Sequence, residues 1–192
     1  MVVRHGETEW SRDKKHTGRT DIELTPVGEQ QARELAGPLS RIRPVLVLCS
    51  PSGRARRTAE LAGLTDVVIE PDLAEWDYGD FEGLTTAEIR QSHPQWTIWT
   101  GDVPGGEGIE QVAERADRVL GRISEALHPG DVIAVGHGHF NRIIAARWID
   151  LPAVGGQRLW LDTGTLCVLG FEHDHRVIQR WNLPPAAADS VL

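Results

Sequence analysis

Cysteine is scarce in this 192-residue chain: Cys49 and Cys167 are the only two, and both sit inside apolar, strand-like runs. Thiols so placed exclude a disulfide framework and point to a reduced, cytoplasmic setting. No apolar stretch approaches the ~20 residues that a membrane span needs, and no secretory-leader pattern opens the chain, so no membrane partner is expected. Positive charge is in deficit as well. With 20 basic against 28 acidic residues the formal charge is −8, which excludes a general nucleic-acid surface and makes any anion site local. What is present is 40% apolar residues, enough for one sizeable core. One domain over residues 1–183 is expected, followed by a flexible tail over 184–192, rich in proline and alanine. Only three residues precede Arg4, short for a central strand, so the native start is expected upstream of Met1.

The chain reads as alternating strands and helices. Met1-Val2-Val3 is a short apolar run that ends at Arg4-His5-Gly6. Thr25-Pro26 offers a cap and a first-turn proline for a helix over residues 26–39, weakened at Gly37-Pro38. Val45-Leu46-Val47-Leu48-Cys49 reads as a strand covered on both faces, followed by a loop and helix carrying Arg54, Arg56 and Arg57. Residues 67–69 form a third strand, with Glu75 just beyond. Ile109, Val112, Ala116, Val119, Leu120, Ile123 and Leu127 recur at helical spacing, and His128-Pro129-Gly130 ends that helix. Residues 132–135 form a strand that runs into His137-Gly138-His139, a helix covers 140–148, and two runs flanking His173-Asp174-His175 make an antiparallel hairpin. The expected fold class is α/β: a three-layer sandwich with a mostly parallel central sheet flanked by helices and one antiparallel edge strand.

In such sheets, sites form beyond the carboxyl ends of the strands, and Arg4, His5, Arg54, Glu75 and His137 all fall there. Arginine beside histidine is an awkward pair to bury unless an anion lies between them. A neutral imidazole is a competent nucleophile at phosphorus, forming a phosphohistidine that divides one hard displacement into two. Arg4 and Arg54 supply planar clamps for the phosphoryl oxygens. His137 and the amides at the start of the next helix, including Gly138, add donors. Glu75 is the candidate acid for the leaving group and base for the attacking water. No metal or cofactor is required.

The opening R-H-G-E-T resembles the start of a histidine phosphatase. So do Ser50-Pro51 with Arg54-Ala55-x-x-Thr58-Ala59, Leu73-x-Glu75 with Gly79-x-x-Glu82-Gly83, and Val135-Gly136-His137-Gly138. In order, these motifs are similar to the phosphoglycerate-mutase-like branch of the histidine phosphatase superfamily over residues 4 to about 150. The resemblance implies His5 as nucleophile, Arg4, Arg54 and His137 as phosphate ligands, and Glu75 as proton donor. It also implies that Thr17 and Gly18 lie in a polar loop touching phosphate, although Ser11 stands where many members have asparagine.

Residues 76–108 form an irregular cap. The mutases of the family hold a substrate carboxylate with basic residues in a longer insertion, whereas this cap offers only Arg90 and His93 against Asp77, Asp80, Glu82, Glu88, Asp102 and Glu107. It also carries Trp76, Tyr78, Phe81, Trp96 and Trp99, which either wall an entrance or pack the cap down. Trp76, Tyr78 and His139 are candidate substrate contacts, His139 having solvent as its alternative. His173 and His175 read as a wet turn rather than a metal pair. The expected activity is a phosphomonoesterase of broad specificity and acidic optimum acting on a small-molecule phosphate ester. A phosphoglycerate mutase and a non-catalytic phosphoprotein-binding module are the rivals, and the protein is expected as a monomer or homodimer.

Overall fold

The computed structural model describes residues 1–127 and 130–188. Its elements run β1 (Val2–Arg4), α1 (Glu9–Arg12), α2 (Pro26–Glu34), α3 (Ala36–Leu39), β2 (Leu46–Cys49), α4 (Gly53–Leu61), β3 (Val67–Ile69) and α5 (Thr86–Ser92). They continue through α6 (Ile109–Ala126), β4 (Val132–Gly136), α7 (Gly138–Trp148), β5 (Leu166–Glu172), β6 (His175–Leu183) and α8 (Pro185–Ala188).

Local chemistry accounts for most of these limits. Thr25 caps α2 through a bond from the Gly28 amide at 3.0 Å, with Pro26 at the first position. The expected single helix over residues 26–39 is two helices, because Pro38 has no amide to donate back into the preceding turn. Thr85 and Glu88 cap α5 reciprocally. The expected end of α6 at His128-Pro129 lies outside the described residues. Of the segment expected to fray, Pro185–Ala188 is instead a helix with Pro185 and Ala188 buried. Alanine favours helix, and the turn has α2 and α3 to pack on. Residues 189–192 lie outside the described residues.

The strands form one sheet in the order β3-β2-β4-β1-β5-β6. The first four are parallel to one another, and the hairpin supplies the antiparallel edge, β5 against β1 and β6 against β5. Alternation along the strands divides the core in two. Val2, Leu48, Val132 and Ala134 pack with α6, α7 and the aromatic cap on one face. Val3, Val47, Cys49, Ile133 and Val135 pack with α3, α4 and α8 on the other. Both cysteines are free and buried, and burial pushes each thiol up to about 12. Among the described residues no helix is long and apolar enough to cross a membrane.

Helix α2 is pressed onto the loop after β1. The Thr25 amide donates to the Glu7 carbonyl at 2.9 Å, and the Glu7 amide donates to Gln31 Oε1 at 2.8 Å. A Cβ on Gly28 would lie 2.0 Å from the Glu7 carbonyl oxygen, and one on Gly6 would lie 2.2 Å from that of Gly28. Gly6 is therefore required by this close approach. Alanine in place of a helical glycine normally adds about 1 kcal/mol. Here Gly28→Ala is expected to cost roughly 1–3 kcal/mol by overpacking, read as a lower urea midpoint at unchanged slope. A raised midpoint would show that the contact is loose.

Candidate active site

The register of two parallel strands brings the sequence-distant histidines together. Arg4 of β1 lies opposite Gly136 of β4, and the next residue in each case is a histidine. The rings of His5 and His137 meet edge to face with centroids 5.2 Å apart, and the His5 amide donates to the Gly136 carbonyl at 3.0 Å. On the other side of β4, the Ser50 amide donates to Val135 at 2.9 Å, and the Ser50 hydroxyl pairs with His137 Nε2 at 2.7 Å. Arg54, in the first turn of α4, is almost wholly buried (1% exposed). Its guanidinium donates to the carbonyls of Thr20 at 2.9 Å and of Thr17 and Gly18 at 3.0 Å. Arg4 donates to the Leu161 carbonyl. It lies so close to the start of α7 that a Cβ on Gly138 would come within 3.2 Å of its Cζ.

Three of the four buried side-chain polar atoms without a partner among the described residues are Arg4 Nε, Arg54 Nε and His137 Nδ1. Unpaired buried polar atoms are costly and the two guanidinium Nε atoms are donors only, so this group defines a place for an anion. His5 Nδ1 lies 2.7 Å from the Gly6 carbonyl. A carbonyl only accepts, so Nδ1 carries the ring proton and Nε2 keeps its lone pair. Burial first, then Arg54 and Arg4, hold His5 well below the usual histidine range. His137 is lowered likewise by burial, Arg54, His5 and Arg4.

Glu75 follows β3 and is buried. Its Oε1 accepts from the amides of Trp76 and Phe140, each at 2.9 Å, and its Oε2 accepts from the His139 amide at 3.0 Å. The carboxylate thus caps the positive end of α7, and α7 begins two residues earlier than expected. Two of the helix amides expected to serve an anion are therefore taken by Glu75. The Glu75 loop is held in turn by Arg115. Its guanidinium donates to the carbonyls of Asp72 (2.7 Å) and Ala74 (2.9 Å) and forms a bidentate pair with Glu107 (2.7 and 2.8 Å).

Glu75 stands between two cavities. One, of about 420 Å³, is lined by His137, Ser50 and Arg115, and the other, of about 580 Å³, by His5, Arg4, Tyr78 and His139. The family model of the histidine phosphatase superfamily (branch 1) matches residues 1–184. The chain belongs to the histidine phosphatase superfamily. It is 46% identical over 179 residues to an acid phosphatase of Mycobacterium tuberculosis, covering 92% of this chain and 88% of that one. It is 35% identical over 183 residues to the sedoheptulose 1,7-bisphosphatase of Saccharomyces cerevisiae, covering 79% and 67%. The solved structure of the open reading frame Rv3214 from Mycobacterium tuberculosis matches with a TM-score of 0.90 at 44% identity, over 96% of each chain.

Within this histidine phosphatase the remaining sequence candidates divide. Tyr78 and His139 line the larger cavity and are joined by a 2.6 Å bond between the phenol and Nδ1, so His139 does not face bulk solvent. Trp76 is fully buried, donates its indole N–H to the Glu107 carbonyl at 2.7 Å and lines neither cavity. It packs the cap instead of contacting a ligand. Thr17 and Gly18 lie at the cavities, but their carbonyls are occupied by Arg54 and the Gly18 amide by Glu82 at 2.9 Å. Ser11 spends its hydroxyl on capping with Thr8.

Sequence reasoning assigned no role to Arg115, Glu107 or Glu82. Only Glu82 carried a signal, its place in the Gly79-x-x-Glu82-Gly83 motif. The acidity of the cap does not carry over to the larger cavity, which none of its carboxylates lines: Glu82 serves backbone amides, Glu88 caps a helix, and Asp77 and Glu107, at the smaller cavity, pair with Arg19 and Arg115. Among the described residues no group of three or more potential ligands is arranged for a metal ion, and His173 and His175 sit exposed at the hairpin turn.

Burial also lowers His16, to about 4, and His139. In the unfolded chain each of these histidines takes up a proton near pH 6.5, whereas the folded one stays neutral. Stability present above pH 6.5 is therefore lost as pH falls toward the folded values. His16 alone contributes on the order of 3 kcal/mol over that range. The melting temperature of the phosphate-free protein is expected to fall steadily from pH 6.5 to pH 4, and a flat profile there would contradict buried neutral imidazoles.

Proposed function

We propose that this histidine phosphatase hydrolyses phosphate monoesters through a phosphoenzyme on His5. The observation that carries the reading is the cluster of neutral His5, Arg4, Arg54 and His137, with a buried side-chain nitrogen on each of the last three that has no partner among the described residues. The acid phosphatase name of a relative 46% identical supports the same class.

His5 Nε2 attacks phosphorus as the ester P–O bond breaks, and Arg4, Arg54 and His137 stabilise the charge on the equatorial oxygens. Protonated Glu75 gives its proton to the departing oxygen. The resulting carboxylate then takes a proton from the attacking water as the P–N bond breaks, releasing inorganic phosphate and regenerating His5. Glu75 borders both cavities, which suits a group that must meet the leaving oxygen and later the water. Residues 1–183 act in this reading as one domain with the cap over residues 76–108, and a cytoplasmic setting fits the two free thiols.

The His5→Ala protein is expected to release no phosphate from any ester, and acid-labile, base-stable labelling by substrate should appear only when His5 is present. Glu75→Gln is expected to lower kcat roughly 10²–10⁴-fold. The loss should be smaller with aryl esters, whose leaving groups depart without help. Because burial and the two arginines keep His5 unprotonated well below pH 6.5, the acid limb of kcat/KM should lie well under that value, with the optimum on the acid side of neutrality. Phosphoryl exchange stimulated by a bisphosphoglycerate, with little net release, would favour a mutase.

A further inference from the structure

The larger cavity is more cationic than the chain as a whole. Arg4, Arg12, Lys14, Lys15, Arg90 and Arg142 line it against three carboxylates, Glu7, Glu75 and Asp162, in a chain of formal charge −8. Arg4 belongs to the phosphate centre, and Arg12 pairs with Asp13. The carboxylates are spent on neutral donors. Glu7 accepts from the Thr25 hydroxyl at 2.8 Å, Asp162 from the Trp160 indole and the Asn182 amide at 2.8 Å each, and Glu75 from three backbone amides.

Among the described residues Arg142, Arg90 and Lys15 have no carboxylate at ion-pair distance. Both arginines are nevertheless fixed in place. Arg142, one turn into α7, donates to the carbonyls of Gly156 at 3.0 Å and Gln157 at 3.1 Å, and its Cζ lies 4.5 Å from the centre of the Trp99 ring. That uses two of the five N–H donors of a guanidinium. Arg90 donates Nε to the Trp96 carbonyl at 2.8 Å. Lys15 enters from the other wall, on the loop that pairs with the cap at Thr85. Two oriented guanidiniums and an ammonium with no carboxylate at ion-pair distance among the described residues, on the cavity that holds His5, are arranged for a negative group. Burial lowers Arg142 to about 10, a penalty that a bound anion relieves.

We propose that Arg142, with Arg90 and Lys15, forms a second anion subsite, so that the preferred substrate is a phosphate monoester carrying a further carboxylate or phosphate group. This rests on the phosphatase reading above and narrows it to a substrate class. A charge-assisted hydrogen bond contributes enough to shift selectivity roughly tenfold to a hundredfold.

The test compares kcat/KM for an aryl phosphate, a sugar bisphosphate and a phosphoglycerate, in the wild type and in Arg142→Gln. The wild type is expected to prefer one of the doubly anionic esters over the aryl ester by at least tenfold. The variant should lose that preference roughly tenfold or more, and the ester that suffers more identifies the second group as phosphate or carboxylate. A preference ratio within twofold of wild type in Arg142→Gln overturns the subsite. Should Arg142→Gln fail to fold for want of its bonds to Gly156 and Gln157, the Lys15→Gln and Arg90→Gln double variant decides by the same ratio. Release from the aryl ester with no preference in the wild type removes the subsite alone. Release from none of the three removes the phosphatase reading and the subsite with it.

Discussion

A guanidinium that is almost completely buried must be met by acceptors, and Arg54 meets three backbone carbonyls contributed by Thr17, Gly18 and Thr20. The loop bearing them cannot be chosen independently of that side chain. Glu82 holds the loop from behind through the Gly18 and Thr20 amides, and the Gly18 amide donates while its carbonyl accepts, so both sides of one peptide stretch are satisfied. What this leaves over is Nε of Arg54, beside Nε of Arg4 and Nδ1 of His137. The positive charge of the site is thus met mainly by dipoles, with the exposed carboxylate of Asp21 at 3.9 Å from Arg54 Nη1. Dipoles offset the cost of burial without neutralising the charge that an anionic group requires.

The same economy places Glu75. A carboxylate near two arginines would ordinarily be drawn into an ion pair with them, which would close the site. Here two amides at the start of α7 and the amide of Trp76 hold it instead, while Arg115 grips the carbonyls of the preceding loop and is itself saturated by Glu107. The buried arginines and Glu75 are therefore kept on separate anchors, although Arg4 and Glu75 border the same cavity.

Much of this was legible along the chain. Strand and helix alternation follows from apolar periodicity, the starts of α2 and α5 from capping residues, and the convergence of His5, Arg54, Glu75 and His137 from their place after strand ends. Three features could not be read in that way. The acidic composition of residues 76–108 suggested an acidic cap, but Asp77, Glu82, Glu88 and Glu107 are engaged with amides and arginines, and the larger cavity takes its charge from Arg4, Arg12, Lys14, Lys15, Arg90 and Arg142. Trp76, for which wall and packing both stood open, is buried and packs the cap. The start of α7 moved because its cap comes from 64 positions away.

By itself the sequence determined the class of fold, the order of the elements and which histidines, arginines and carboxylate stand at strand ends, because these depend on periodicity and residue chemistry that neighbours along the chain already carry. The tertiary structure alone decided the tautomer of His5, the anchoring of Glu75, the partner of His139 and the sign of the charge around the cavity. Each of these depends on which donor or acceptor lies opposite in space, and packing rather than chain position supplies that partner.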